Sequence, residues 1–188
     1  MRDGTSTKHR IQREALRLFV ERGADAVSVR DIGEAAGIRP STLYVHWATK
    51  DDLVADLFVT GYAAYGARIR DITAGAAPFK TRLTKTIKTI CDLNREDEIL
   101  FRFLLLTQHR QLHRVEDDDN NPVELVQRMI AAAMKMGEIP DGDPALAAAA
   151  VVGIIVQAAT FQVYGRISRD LAAMADEIGL ICLRAIAP

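Results

Sequence analysis

The sequence predicts an all-α protein of about nine helices, and three observations predict it. Apolar residues recur at helical spacing along nearly the whole chain, as Ile11, Ala15, Leu18 and Phe19 do on one face. No segment alternates apolar and polar residues with the period of two that a half-buried strand requires. Helix punctuation recurs at matching intervals: a small polar residue or proline opens each periodic run, and glycine often follows it.

Taken in order, Thr7 is the N-cap of the first helix and Gly23 its stop. Ser28 opens the second. A serine followed three residues on by Asp31 resembles a capping box, although aspartate is shorter than the usual glutamate. Gly37 then suits the left-handed position just past the helix end. Pro40, tolerated at the first helical position, opens a third, short helix that holds Ser41 to His46. The fourth runs from near Lys50 to about Ile72, with Asp51 and Asp52 complementing the helix dipole. Gly75 to Pro78 breaks it. A fifth covers about Phe79 to Leu93 and a sixth about Glu96 to His113. The stretch from Glu116 to Asn121 is a loop, because adjacent like charges repel and seek water. Pro122 starts a seventh helix ending at Gly137, and Asp143 caps an eighth from Pro144 to about Tyr164. Ser168 caps a ninth, to about Ala187.

Composition narrows the classes. With 188 residues, 49% of them hydrophobic and 26% charged, the chain suits one ordinary globular domain, or a small domain attached to a larger one. A formal net charge of -1 gives no global positive field, so the average alone does not point to nucleic acid. Cys91 and Cys182 both lie in apolar helical stretches with no Cys-x-x-Cys pair, which favours a reducing cytoplasm. The first residues lack the apolar core of a signal peptide. The longest apolar stretch, Pro144 to Val156, is followed at once by Gln157. It is shorter than the roughly 20 residues that cross a bilayer, so it reads as a buried helix and no membrane partner is expected. Gly-x-Ser-x-Gly, a Walker-type loop, His-Glu-x-x-His and Glu-x-x-His are all missing from the sequence, and an enzyme is not expected.

The informative stretch is Ser28 to Lys50, which reads as helix, glycine turn, short helix. Ile32, Ala35, Ile38 and Leu43 would pack the two helices together, and the small Gly33, Ala35 and Ala36 permit close approach. This is a helix-turn-helix, whose second helix presents its N-terminal residues to a major groove. Around it stand Phe19, Gly23, Val29-Arg30-Asp31-Ile32, Gly37-Ile38, Thr42-Leu43-Tyr44, Trp47, and Lys50 ahead of Leu53. On these residues the segment from about Thr7 to Leu57 resembles the DNA-binding region of TetR-family transcriptional repressors. The resemblance implies a three-helix DNA-binding head, residues 1–50, and a helical effector-binding and dimerisation domain, residues 51–188. It implies a homodimer built through the eighth and ninth helices, with a ligand pocket among the central ones. A ligand would shift the two heads away from half-sites about 34–36 Å apart.

Individual residues can then be placed. Arg39 falls at the N-cap of the recognition helix, where Ser, Thr, Asp or Asn is preferred. A residue that breaks a local stability rule is a candidate for function; its guanidinium suits guanine O6 and N7, with phosphate as the alternative. Pro40 and Ser41 follow it on the presenting end. Thr42 offers a methyl to thymine or a hydroxyl to phosphate. The resemblance implies a phosphate contact for the Tyr44 hydroxyl, a phosphate anchor at Lys50 helped by backbone amides, and a base or phosphate contact for Arg30. His46 is a phosphate contact or a solvated group, and Trp47 is a packing aromatic. Residues 1–50 hold nine basic and six acidic side chains, the rest fifteen and nineteen, so the head is +3 and the remainder -4. That asymmetry has the sign DNA binding needs.

The sixth and eighth helices are apolar round most of their circumference and are therefore expected to be buried on several sides. Such a pair needs a dense core or a ligand cavity. Tyr62, Tyr65, Cys91, Phe103 and Thr107 are candidate pocket residues, as are Met129, Met134, Gln157 and Phe161; core packing is the alternative for each. Gln157 stands out, because an isolated amide in an apolar helix needs a partner, either a ligand or a helix across the dimer. His109 and His113 have i, i+4 spacing, but no full metal-ligand set accompanies them, and neither metal nor cofactor is expected. The sequence thus reads as a ligand-responsive DNA-binding regulator, a repressor released from a palindromic operator by a small, largely apolar effector. Two alternatives stay open: a helical ligand-binding protein without a specific operator, and an effector-independent DNA binder.

Overall fold

A computed structural model of the protein describes residues 4–115 and 120–187, with side chains from Ser6 onward. Among the described residues there are nine α-helices and no strand. They are α1 (Gly4–Arg22), α2 (Val29–Ala35), α3 (Pro40–Leu43), α4 (Lys50–Thr73), α5 (Phe79–Glu96), α6 (Glu98–Gln111), α7 (Pro122–Lys135), α8 (Pro144–Val163) and α9 (Ala175–Ile186).

Local chemistry accounts for most of the boundaries. Ser28 and Asp31 form the expected capping box: the Asp31 N–H donates to the Ser28 hydroxyl, and the Ser28 N–H donates to the Asp31 carboxylate at 2.7 Å. Gly37, at φ +61°, ends α2 in the left-handed region that side chains avoid. Thr49 and Asp52 make a second capping box at the start of α4. Asp143 caps α8 and Asn121 caps α7, each with proline at the first helical position.

Two expected caps fail. The first helix already runs at Gly4, so Thr7 lies inside it. The ninth begins at Ala175, not after Ser168. Gly165, at φ +68°, turns the chain out of α8, and a 3-10 turn at Ala172–Met174 then packs on α5. That detour fully buries Leu171 and nearly buries Met174, which a helix continuous from Ser168 would not have to do. The acidic residues 116–119, expected to be a loop, lie outside the described residues.

The core forms two apolar clusters. The head cluster joins α1, α2 and α3 through Ile11, Leu18, Phe19, Ile32 and Leu43. It does not close at residue 50. Leu53, Leu57 and Phe58 of α4 belong to it, as does Phe103 of α6, whose ring stacks on Phe19 with centroids 6.0 Å apart. The body cluster gathers α5, α7, α8 and α9 with the C-terminal half of α4. Both α4 and α6 therefore contribute to both cores. At the far end of α4, the buried Arg82 donates to the Thr73 carbonyl at 3.0 Å and pairs with Glu138 at 3.2 Å, while Glu138 also accepts the Phe79 N–H.

The eighth helix departs from expectation. It is one continuous helix of 20 residues, long and apolar enough in length and composition to cross a membrane. Little of it is buried, because just Ala148, Val151, Ile155 and Ala159 face α7 and α9. Its other face, with Leu146, Gly153, Gln157 and Phe161, is open. The expectation of burial on several sides is thus corrected. Alanine and valine supply apolarity all round the helix, but one layer of neighbours covers one side only. The sixth helix likewise leaves Ile99 and Leu106 exposed.

Candidate DNA-reading head and effector cavity

The head presents the start of α3. Arg39 is the N-cap residue and its side chain makes no cap hydrogen bond. Arg39, Pro40 and Ser41 are exposed, Thr42 is half-buried, and Tyr44 and Val45 are 55% and 77% exposed. Leu43, between them, is fully buried and anchors the helix to Ile32 and Trp47 in the head core. The close seating of α2 on this turn requires Gly33, where a Cβ would lie 3.2 Å from the Ile38 carbonyl oxygen. Ala36 shares that burial; Ala35, expected to pack there, is exposed. Arg30 is exposed on α2 close to Asp31, whose carboxyl is held below the ordinary range by the Ser28 hydroxyl and N–H.

Trp47 is a packing residue, 6% exposed, and its ring lies 5.4 Å from that of His46. Its indole N–H donates to Asp56 of α4 at 2.9 Å. Asp56 also accepts from Gln12 and pairs with Lys8 at 3.7 Å, and the Lys8 ammonium sits 5.3 Å from the centre of the Trp47 ring. Asp56 thus ties α1, the end of α3 and α4 together. Reasoning from the sequence missed it, although a buried indole N–H demands an acceptor.

Lys50 has a specific structural engagement. Its ammonium donates to the carbonyls of Ala24 and Val27 at 2.7 and 2.8 Å, pinning the α1–α2 connection to the start of α4. The same connection is held from the other side by Arg110 of α6, which meets Asp25 at 2.6 Å.

A cavity of ≈ 180 Å³ lies between α4, α6, α7 and α8. Tyr62 and Tyr65 line it from α4, Leu105 and Gln108 from α6, Val126 from α7 and Val152 from α8. No charged side chain is among its lining residues. The Tyr65 hydroxyl is buried without a hydrogen-bond partner among the described residues. Burial pushes the Tyr62 hydroxyl up to about 12, and the Tyr65 hydroxyl is raised further, first by burial and then by the nearby Asp97 and Glu96 carboxylates.

Of the expected pocket residues, only Tyr62 and Tyr65 line this cavity. Cys91 is fully buried in the body core, where burial pushes its thiol up to about 12. Phe103 belongs to the head core. The Thr107 hydroxyl donates to the Phe103 carbonyl of its own helix. Met129 borders a separate groove between the ends of α4 and α7, and Met134 packs beside Gly142. Gln157 and Phe161 stand on the open face of α8. Gln108, Leu112 and Val152 line the cavity but were not foreseen, because helical periodicity marks an apolar face without saying where neighbouring helices part. His109 and His113 are both exposed and straddle the end of α6, and no metal-binding cluster occurs among the described residues.

An exposed helix-turn-helix turn thus sits on a helical body with which it shares α4 and α6. Known proteins are similar to the chain in both parts. Residues 11–57 match the family model for bacterial regulatory proteins of the tetR family. The HTH-type transcriptional repressor KstR2 of Mycobacterium tuberculosis is 41% identical over 63 residues, 34% of this chain and 32% of that protein. Its namesake in Rhodococcus jostii is 33% identical over 75 residues, 40% of this chain and 37% of that one. The matched part thus spans about a third of the length of these curated relatives. Whole-chain similarity is structural. The regulator FadR from Bacillus subtilis, in complex with stearoyl-CoA, superposes with a TM-score of 0.78 over 95% of this chain and 99% of that one, at 20% identity. The fatty acid degradation regulator FadR from Bacillus halodurans gives 0.79 over 97% of both chains, at 19% identity. Residues 11–57 are thus similar to the tetR-family DNA-binding segment, and the chain as a whole shares the all-helical fold of these solved regulators.

Proposed function

We propose that the protein is a cytoplasmic, homodimeric transcriptional repressor that leaves a palindromic operator when a small, largely apolar molecule fills the cavity between α4, α6, α7 and α8. The observation that carries the reading is the double membership of α6. Phe103 completes the core of the head, while Leu105 and Gln108 of the same helix line the cavity. A ligand that displaces α6 therefore acts directly on the seat of the recognition turn.

In this reading residues 1–50 are the DNA-binding domain, and 51–188 bind the effector and dimerise. Arg39 reads a base, and Pro40, Ser41 and Thr42 follow it into the groove. Arg30, Tyr44 and His46 hold phosphate. Lys50 commits two of its three N–H donors to carbonyls and keeps the third for phosphate, so it fixes the head on α4 as well as anchoring it to DNA. The partner for dimerisation is a second copy, seated on the open apolar face that α8 forms with Leu180 and Ile181 of α9. Gln157 would lie within that interface. Fluorescence anisotropy on labelled DNA from upstream of the protein's own gene tests the proposal. Saturable binding that resists non-specific competitor DNA is expected, and no retention of any such fragment would refute it.

A further inference from the structure

We propose that the ligand held by this cavity is a neutral, compact apolar molecule with one carbonyl-type acceptor, and that Tyr65 reads that acceptor by donating its hydroxyl hydrogen; the inference rests on the effector-cavity reading above. Three observations lead to it. The lining is hydrocarbon and aromatic with no cation, so a carboxylate or phosphate drawn inside would lose its hydration with no counter-charge. The Tyr65 hydroxyl is a buried polar group without a partner among the described residues, and leaving a buried donor unsatisfied is unfavourable. Its surroundings keep it protonated: burial acts first, and the Asp97 and Glu96 carboxylates add to it. The hydroxyl is therefore available as a donor, and an acceptor on the ligand supplies what it lacks.

Two other polar side chains line the cavity, Tyr62 and Gln108. The Gln108 amide nitrogen spends one of its two N–H donors on the Leu105 carbonyl at 3.0 Å, and of the three lining groups it is the Tyr65 hydroxyl that is buried without a partner among the described residues. Size limits the rest. A cavity of ≈ 180 Å³ compares with the ~150 Å³ apolar cavities that hold a benzene ring, so the enclosed part of the ligand is one ring or a short chain.

The test is calorimetric titration of the full-length protein at pH 7 with three probes of matched size: propiophenone, its hydrocarbon counterpart propylbenzene, and phenylacetate. Propiophenone is expected to bind about fivefold tighter than propylbenzene, the worth of one neutral hydrogen bond, and phenylacetate weakest of the three. Tyr65→Phe keeps the ring and removes the hydroxyl. It is expected to abolish the ketone preference and to leave propylbenzene within about twofold, as a variant that loses only one hydrogen bond should. Phenylacetate binding as tightly as the ketone, or a ketone preference that survives in Tyr65→Phe, overturns the assignment while leaving the cavity as the effector site. Failure of every probe to bind, or binding that ignores Val152→Phe in the cavity wall, overturns the cavity reading and the assignment with it.

Discussion

Arg39 at the start of α3 and Lys50 at the start of α4 are given different work by the structure. The Arg39 guanidinium stands free of any cap hydrogen bond at the start of α3. Arg39→Ala is therefore expected to cost about 1–3 kcal/mol on the preferred sequence and much less on unrelated DNA, with unchanged thermal stability. Competition binding on the two DNAs measures this, and an equal loss on both would remove Arg39 from base reading. Lys50 holds two backbone carbonyls, so Lys50→Ala is expected to lower the melting temperature as well as DNA affinity. An unchanged melting temperature would return Lys50 to a pure phosphate role. A third residue-scale effect is pH-dependent. Asp31 is held below its ordinary range by Ser28, so this contribution to stability is present at neutral pH and is lost as acid protonates the carboxylate. Ser28→Ala should raise the Asp31 titration midpoint toward the ordinary aspartate value in an NMR titration. It should also cost about 1 kcal/mol as the loss of a cap, a shift of roughly 2–4 °C in melting temperature for a chain of this size. The Ser28–Asp31 box was legible in the sequence because capping depends on residues three apart. The Trp47–Asp56 bond was not, because it joins the end of α3 to α4 and only the packed head sets it.

At the scale of elements, local punctuation was a good guide wherever glycine or proline imposed the backbone. It failed where tertiary burial chose the path, as at the detour that buries Leu171 ahead of α9. Patterning also misjudged α8. An apolar helix reads as a buried one, yet α8 turns an open stripe to one side, and α9 leaves Leu180 and Ile181 47% and 52% exposed. If a second copy covers this stripe, Leu180→Asp with Ile181→Asp should yield a folded monomer in analytical ultracentrifugation, with helical content retained. Ile155→Asp should instead unfold the body, since Ile155 is 5% exposed inside it and an unpaired buried charge has no compensation there. A dimer that survives the α9 pair would place the interface elsewhere.

At the scale of the whole molecule, a net charge of -1 averages a basic head and an acidic remainder. Several head charges are also spent internally. Arg17 pairs with Glu14 and Glu21, and Lys8 with Asp56. On the proposed function, non-specific attraction to DNA is weak, and selectivity comes from α3 and from pairing two heads. The head was readable in the sequence because its motif is a run of local spacings. The cavity was not, because four helices that are distant along the chain enclose it; of nine residues expected there, Tyr62 and Tyr65 line it. Sequence-selective DNA binding by a two-headed molecule is tested most directly by selection of bound DNA from a random pool. Enrichment of an inverted repeat is expected, with half-sites one helical turn, about 34–36 Å, or a multiple of it apart. A pool that stays random after repeated rounds, or that converges on a single unpaired half-site, would contradict it.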